Sequence, residues 1–302
     1  MKSKKIIIGS RGSKLALIYA ERARTKLLEF CSNVEIKKIT TSGDINQKDR
    51  LSEIGGKGLF SKQIENELID KKIDIAVHAL KDMPSDETKD LLTNCFLERN
   101  DPREVLISLN NNFIKDLKPN SIVGTSSFRR EFQLKKIRKD INYKLIRGNV
   151  DTRLNKLNER LYDAIILSYA GIKSLKLDQK VSQIFSTKEI IPSVGQGVVA
   201  LQCRKNDFEI IELLEKINHK LTNTCAVAER QFLKILEGAC ETPVGAIANI
   251  EDKNITLEAE LFSIDGKQRF YHIASKNINS AIELGTEVGE ILKKESDNSY
   301  KR

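Results

Sequence analysis

Tryptophan is absent from this chain of 302 residues, and aromatic residues make up only 6% of it. The net charge of +9 would suit nucleic acid, an anionic membrane or an acidic small molecule. Nucleic acid is disfavoured, because few aromatics and no recognisable reading motif accompany the charge. No apolar run approaches the roughly 20 residues of a membrane span, and the run at residues 6–8 is too short for a signal peptide. The sequence thus predicts a cytoplasmic protein with neither a membrane nor a nucleic-acid partner.

Cysteine and histidine are also scarce. The five cysteines contain no CxxC pair and are Cys31, Cys95, Cys203, Cys225 and Cys240. In a reducing compartment such thiols are usually small buried apolar residues. His78 ends an apolar run and is expected in the core, and the other two histidines lack ligand-type neighbours. We therefore predict no metal site, and only Cys240 stands out, at the bend LEGACETPVGA (236–246).

Short apolar runs alternate with amphipathic stretches over the first 200 residues. They predict strands at 6–9, 34–40, 73–79, 105–108, 122–125, 143–147 and 164–168, and helices at 14–30, 60–70, 127–138 and 150–157. Beyond residue 222, a helix at 225–236 precedes strands at 244–250, 255–262 and 268–274 and a helix at 281–294. The alternation indicates α/β layers with largely parallel sheets.

Two segments, ERNDPRE (98–104) and IPSVGQG (191–197), have the turn-forming residues typical of a crossing between domains. Two crossings predict an α/β fold of two doubly wound domains around a cleft, of the bilobal binding-protein type, plus a small C-terminal α+β domain. The predicted domains are 1–97 with 198–217 returning to it, 98–197, and 218–302.

The turn GTSSFRREFQL (124–134) carries two arginines where a helix begins. The predicted strand ends at Thr125, Ser126 or Ser127 can cap the helix, and Arg129 and Arg130 fall in its first turn. Cations at a helix amino terminus oppose the helix dipole, and a bound anion would remove that conflict.

Two further turns repeat this arrangement. Arg11 and Ser13 lie between a strand and a helix in IIIGSRGSKLAL, and Arg147 and Arg153 flank the turn in KLIRGNVDTRL. Ligands of open α/β sheets bind outside the carboxyl ends of strands, where these turns lie. Guanidinium groups are suited to carboxylate or phosphate, so the sequence predicts a polyanionic ligand.

One acidic residue interrupts the basic pattern. In IDIAVHALKDMPS (73–85), Lys81 and Asp82 follow a buried-type strand. Asp82 is either a turn former or a carboxylate that stabilises a cation and exchanges a proton in the cleft.

GGKGLFS (55–61) lacks the GxxxxGKS spacing of a phosphate loop, which leaves a glycine-rich loop carrying Lys57.

These motifs together resemble those of porphobilinogen deaminases, also called hydroxymethylbilane synthases. The matching segments are, in order, SRGSKLAL, TSGD, GGKGLFSKQIE, DIAVHALKDMPS, ERNDPRE, VGTSSFRR, IRGNVDTRL, DAIILSYAG, PSVGQG, AERQFL and EGACETPVG. They extend from residue 6 to about residue 247.

The resemblance implies a monomeric transferase of tetrapyrrole biosynthesis. The family condenses four porphobilinogen molecules head to tail, releases ammonia each time, and yields a linear hydroxymethylbilane. It holds a dipyrromethane cofactor through a thioether to the cysteine of a GGC motif, which here reads Gly238-Ala239-Cys240. Cys240 is therefore the expected attachment point.

The resemblance also assigns roles to the residues in the turns. Asp82 matches the catalytic aspartate, which assists loss of ammonia and stabilises positive charge on pyrrole nitrogens. Cofactor-binding positions are matched by Cys240, Lys81, Arg129, Arg130, Ser127, Thr125, Arg147 and Ser13. Substrate-binding positions are matched by Arg11, Ser13, Arg147, Arg153, Lys57, Phe60 and Gln196.

Four positions depart from the family pattern. The family commonly has Gln where this chain has Tyr19 and Ser where it has Ala79. It commonly has Arg where this chain has Ser174 and Gly where it has Ala239. Loss of the arginine at 174 removes an expected carboxylate contact, which Lys173 or another cation would have to replace. Ala239 restricts the backbone beside Cys240 relative to glycine.

A pure solute-binding module is the principal alternative, since it also has two α/β domains and two crossings. The lack of a signal peptide and the bend at Cys240 argue against it. A nucleic-acid-binding protein is the other alternative, and it rests on net charge alone.

Overall fold

The computed structural model describes residues 5–45, 58–238 and 242–301. Thirteen strands in these ranges form two five-stranded sheets and one three-stranded sheet. The longer helices, numbered here α1 to α8, are Lys14–Leu27, Lys62–Ile69, Phe128–Ile137, Val150–Asn158, Tyr169–Ser174, Phe208–Ile217, Lys220–Ile235 and Ala281–Ser296. Short helical turns are Ser42–Ile45, Leu80–Asp82, Ile114–Asp116, Asp178–Lys180 and Ile278–Ser280.

The first sheet has the strand order β2-β1-β3-β10-β4. Its strands are β1 (Ile6–Arg11), β2 (Val34–Ile39), β3 (Ile75–Ala79), β4 (Leu91–Phe96) and β10 (Val199–Arg204). Strand β1 is parallel to β2 and β3, whereas β10 is antiparallel to β3 and β4. Apolar residues of the sheet, including Ile8 and Val199, pack with Leu27 of α1 and Leu213 of α6.

The second sheet repeats this topology in the order β7-β6-β8-β5-β9. Its strands are β5 (Glu104–Ser108), β6 (Ile122–Gly124), β7 (Asn142–Lys144), β8 (Ala164–Ser168) and β9 (Gln183–Ile184). Strand β6 is parallel to β7 and β8, and β5 is antiparallel to β8 and β9. In each sheet the reversed strand, β5 or β10, is the first strand after a crossing between the sheets.

The third sheet is an antiparallel meander packed against two helices. Strands β11 (Val244–Glu251), β12 (Asn254–Phe262) and β13 (Arg269–Asn277) pair in chain order. Helices α7 and α8 cover the sheet, and Phe232, Leu257 and Val288 are buried together between these layers.

The predicted fold class is confirmed: the chain has two α/β sheets and a small C-terminal α+β unit. The expectation of largely parallel sheets holds for four strands of each five-stranded sheet, whereas β5 and β10 run antiparallel to both of their neighbours. The strand predicted at 143–147 ends at Lys144, since the chain turns at Gly148 with φ 109°. The pattern analysis also missed β4, β9, α5 and α6.

One buried carboxylate joins both crossings to the C-terminal unit. Glu229, on α7, is fully buried and accepts hydrogen bonds from Arg99 Nη1 at 2.5 Å and Nη2 at 3.3 Å. It also accepts from the backbone N–H of Gly195 at 2.7 Å and of Ala248 at 2.9 Å. Because Arg99 lies in the first crossing and Gly195 in the second, Glu229 fixes both segments against β11.

Replacing Glu229 with Gln should destabilise the protein strongly. We expect the free energy of unfolding to fall by about 3–5 kcal/mol, because the Arg99 guanidinium would stay buried without its counterion. The control Glu29→Gln removes the exposed pair of Lys26 and Glu29, 3.1 Å apart, and should cost at most about 1 kcal/mol. Urea unfolding followed by circular dichroism measures both variants, and equal losses in the two would contradict this account.

Candidate active site

A cleft of about 480 Å³ lies at the ends of strands from both α/β sheets. Eight of the predicted site residues line it, namely Arg11, Ser13, Phe60, Lys81, Asp82, Arg130, Arg147 and Arg153. Crossings connect the two sheets beside it, so the topology brings together residues as far apart in sequence as Arg11 and Arg153. The cleft thus occupies the position where open α/β sheets bind ligands.

Asp82 lies in the turn Leu80–Asp82, directly after β3. Its Oδ2 is 3.8 Å from Arg11 Nη1, and about a third of its side chain is exposed (35%). The Arg11 guanidinium carbon lies 4.1 Å from the centroid of the Phe60 ring. The ring and the carboxylate thus hold Arg11 at the cleft wall, while Asp82 keeps access to a ligand.

Lys81 is oriented by Gln196, which comes from the second crossing. Lys81 Nζ donates to Gln196 Oε1 at 3.1 Å, and Gln196 Nε2 donates to the carbonyl of Pro102 at 2.7 Å. Burial, together with the positive charge of Arg130, lowers the pKa of Lys81 to about 8. Gln196 is fully buried and acts on the cleft through Lys81, rather than from its surface.

A buried acid holds the two arginines of α3. Arg130 donates from Nε and Nη2 to the two carboxylate oxygens of Glu104, at 3.0 and 2.9 Å. Arg129 donates to Glu104 at 2.6 Å and to the carbonyl of Ile191 at 2.8 Å. Burial alone would raise the pKa of Glu104, but Arg130 and Arg129 lower it to about 2. The trio therefore keeps one net positive charge, with Arg130 at the cleft and Arg129 behind it.

The hydroxyls predicted beside these arginines shape the turn. Ser127 caps α3, since its side chain accepts from the backbone N–H of Arg130 at 3.5 Å. Thr125 is buried and accepts from the backbone N–H of Ser127 at 3.2 Å. Ser126, rather than either of them, lines the cleft.

Guanidinium groups crowd one end of the cleft. Burial lowers the pKa of Arg153 to about 10, and the charges of Arg130 and Arg147 add to the effect. Arg153 Nε donates to the carbonyl of Gly148 at 2.8 Å, which anchors it across the turn before α4. Because the three cations disfavour one another, a polyanion bound here would be stabilised by all three.

Ser13 also lines the cleft. It caps α1, and its hydroxyl accepts from the backbone N–H of Ala16 at 3.3 Å. The turn thus ends in a capped helix amino terminus that faces the cleft, a favourable position for an anion.

Three of the departures from the family pattern lie close together. Tyr19 and Ala79 line a small pocket beside Asp82, and the Tyr19 hydroxyl hydrogen-bonds with Ser174. Burial raises the pKa of Tyr19 to about 12, with Asp82 adding to the rise. Lys173, the expected substitute for an arginine at 174, lies 5.8 Å from the centroid of the Tyr169 ring. Tyr19 and Ser174, which are two of the departures, thus contact each other through their hydroxyl groups.

Several predictions fall outside the described ranges. Lys57, Ala239 and Cys240 lie in residues 46–57 and 239–241, where the structure gives no description. The other four cysteines are buried, as predicted. Within the described ranges, no cluster of His, Cys, Asp or Glu could hold a metal ion, and no helix is long and apolar enough to span a membrane.

Sequence reasoning missed the acid that organises the site. Glu104 was assigned only to a crossing, although its position as the first residue of β5 places it beneath α3. Sequence pattern alone gave no signal for this, because an isolated acid in a loop is normally solvated. Gly148 and Asn149 were missed as cleft-lining residues, although the Gly-Asn pair before a helix is a capping signal.

Comparisons with known proteins agree with the geometry. The protein-family model described as "Porphobilinogen deaminase, dipyromethane cofactor binding domain" matches residues 6–212. The family model described as "Porphobilinogen deaminase, C-terminal domain" matches residues 223–294. Porphobilinogen deaminase of Staphylococcus carnosus is 42% identical over 97% of this chain and 96% of its own length. Those of Rickettsia typhi and Exiguobacterium sibiricum are 42% and 44% identical, over 95% and 88% of this chain and 97% and 87% of theirs. The chain belongs to the porphobilinogen deaminase family.

Proposed function

We propose that this chain is a hydroxymethylbilane synthase. It condenses four porphobilinogen molecules head to tail, releases one ammonia per addition, and delivers the linear hydroxymethylbilane to haem and related tetrapyrrole synthesis. The observation that carries the proposal is the accessible carboxylate of Asp82, directly after β3, in a cleft that also gathers Arg11, Lys81, Arg130, Arg147 and Arg153. Each substrate pyrrole bears an acetate and a propionate, so the growing chain gains two negative charges per addition.

The cleft residues fit a dipyrromethane cofactor. Two pyrroles carry four carboxylates, which match the guanidinium groups of Arg11, Arg130, Arg147 and Arg153 along the cleft. The volume of about 480 Å³ lies within the range of roughly 300–1,000 Å³ that is usual for small-molecule sites. When bound, the cofactor supplies the pyrrole carbon to which the first substrate is joined.

Residues of the cleft then divide into binding and positioning roles. Arg130, Arg147 and Lys81 bind cofactor carboxylates, and Cys240 holds the cofactor through its thioether. Arg11, Arg153, Ser13 and Phe60 contact substrate, and Lys57 is a further substrate-binding residue. Arg129, Gln196, Thr125 and Ser127 act behind this surface, since their hydrogen bonds orient Arg130, Lys81 and the turn itself.

Asp82 carries the chemistry. Its carboxylate exchanges a proton with the substrate and stabilises positive charge on pyrrole nitrogens as ammonia leaves. Arg11, 3.8 Å away, orients the carboxylate toward the cleft. The location directly after β3 holds the carboxylate on a rigid element, as catalysis requires.

The wider organisation follows from the same proposal. The protein works as a cytoplasmic monomer of three domains, 1–97 with 198–217, 98–197 and 218–302.

Cofactor attachment can be tested by mass. Intact-protein mass spectrometry of the purified wild type should show an excess of two pyrrole units over the sequence mass. Cys240→Ala should lack it, whereas Cys225→Ala, which removes a buried thiol of α7, should keep it. An active wild type without the adduct, or a Cys240→Ala variant that retains it, would be incompatible with the assignment.

The role of Asp82 can be tested with a closely matched control. Asp82→Asn should retain fold and cofactor but lose at least about 100-fold in kcat, the usual scale of general acid–base catalysis. Asp116 ends a second short turn of similar sequence, Ile114–Asp116, and is exposed away from the cleft. Asp116→Asn should keep wild-type kcat in steady-state assays of porphobilinogen consumption, and comparable losses in the two variants would remove the assignment.

A further inference from the structure

A second pocket lies between helix α3 and the third sheet, separate from the cleft. Its walls come from α3, from the chain at 188–191 and from strands β12 and β13. Its volume of about 300 Å³ is at the lower end of the range of roughly 300–1,000 Å³ that is usual for small-molecule sites. Among the described residues, none lines both this pocket and the cleft. The second pocket therefore has room for one small molecule of its own.

Two cations in its wall share a single buried acid. Glu260 of β12 is buried, and its Oε1 accepts from Lys136 Nζ of α3 at 2.7 Å. Arg269 Nε of β13 donates to the same oxygen. The side chains of Lys136 and Arg269 remain 43% and 42% exposed, and each has more donors than Glu260 occupies. The trio thus presents one net positive charge, with donors left for a ligand.

Two further charges in the wall have free hydrogen-bonding positions. Glu258 Oε1 accepts from the hydroxyl of Tyr271 at 2.9 Å, which fixes this carboxylate on the sheet. Within residues 5–45, 58–238 and 242–301, Glu258 Oε2 and Lys188 Nζ have no hydrogen-bond or ion-pair partner. The second pocket therefore offers an acceptor for a cation as well as donors for anions.

These charges define the class of ligand. Three cations and two carboxylates line the pocket, so its walls carry one net positive charge. A simple monoanion would balance that charge but leave Glu258 facing it without a cation. Carboxylates can instead meet Lys136, Arg269 and Lys188 while an ammonium group meets Glu258, and each contact is then a charge-assisted hydrogen bond. We propose that the second pocket binds a zwitterion with two carboxylates and one ammonium group.

Two kinds of molecule share this chemistry. Porphobilinogen has an acetate, a propionate and an aminomethyl group, and its place here rests on the proposed function. Free glutamate has the same charged groups on a shorter skeleton, and its place here does not depend on that function. The exposed side chain of Ile273 and the buried Ile191 offer apolar surface to either skeleton.

The second pocket shares a backbone group with the cations of the cleft. Gln133, in the pocket wall, donates to the carbonyl of Ile191 at 2.9 Å and accepts from its N–H at 2.6 Å. Arg129, which lies behind Arg130, donates to the same carbonyl at 2.8 Å. Helix α3 therefore carries one wall of the second pocket and, at its start, Arg130 of the cleft. We expect a ligand in the second pocket to change the affinity of the cleft for porphobilinogen.

Fluorine NMR of the holoenzyme labelled with 3-fluorotyrosine tests occupancy. Tyr271 lines the second pocket and Tyr19 lines the small pocket beside Asp82, and Tyr→Phe variants assign these two among the six tyrosine signals. Glutamate should shift the Tyr271 signal saturably. Glutarate, which lacks the ammonium group, and potassium chloride at equal ionic strength should not. Equal responses to glutamate and glutarate would overturn the proposal.

Porphobilinogen distinguishes the two sources of ligand. In Asp82→Asn holoenzyme, where turnover is expected to be slow, it should shift both Tyr271 and Tyr19 when the substrate itself occupies the second pocket. A shift of Tyr19 alone, with a glutamate response at Tyr271, assigns the pocket to a free amino acid. No response of Tyr271 to either compound would overturn the proposal.

Glu258→Gln tests the match of charges. The variant keeps an acceptor for Tyr271 but loses the negative charge, so its affinity for glutamate should fall about tenfold, the equivalent of one charge-assisted hydrogen bond. Its preference for glutamate over glutarate should disappear. The control Glu251→Gln alters the exposed end of β11 and should keep both. A Glu258→Gln variant that still prefers glutamate would contradict the assignment.

Kinetics test the connection with the cleft. Glutamate should change KM for porphobilinogen more in the wild type than in Glu258→Gln, because direct competition for the cleft is common to both. Equal changes would show that the second pocket does not act on the cleft. If the wild type releases no ammonia from porphobilinogen, the proposed function is wrong, whereas the response of Tyr271 to glutamate does not depend on that reaction.

Discussion

The ion pair of Arg99 with the buried Glu229 is the interaction on which the arrangement of the molecule depends. Glu229 binds Arg99 from the first crossing, Gly195 from the second and Ala248 from β11. Arg99 Nε also donates to the carbonyl of Gln196, whose side chain orients Lys81 beside Asp82. One desolvated carboxylate therefore holds both crossings between the α/β sheets against the C-terminal unit. Through Arg99 and Gln196 it also fixes the position of Lys81 in the cleft.

A second buried acid sets the electrostatics of the cleft. Glu104 neutralises part of the charge of Arg129 and Arg130, which lets two guanidinium groups be buried at a helix amino terminus. The remaining positive charge faces the cleft, where Arg147 and Arg153 add to it. We propose that these cations recognise a polycarboxylate, and because their positions are fixed on folding, little reorganisation is needed on binding.

Much of this architecture could be predicted from the sequence, but its buried acids could not. Strand and helix periodicity located the turns of Arg11, Asp82, Arg130 and Arg147, because those turns follow apolar runs that end abruptly. Glu104 and Glu229 have no such pattern, since their partners lie 25 and 130 residues away in sequence and only the tertiary fold joins them. The antiparallel direction of β5 and β10 was not predicted for the same reason. The direction in which a strand enters a sheet depends on the crossing that precedes it, not on the strand's own residues.

The central claim is that this cleft builds a linear chain of four pyrroles. The most direct measurement is the ratio of ammonia released to tetrapyrrole formed when purified protein consumes porphobilinogen. The account predicts four ammonia per hydroxymethylbilane, with the tetrapyrrole identified by its spontaneous closure to a uroporphyrinogen-type ring. Porphobilinogen binding without ammonia release, or ammonia release without a four-pyrrole product, would contradict it.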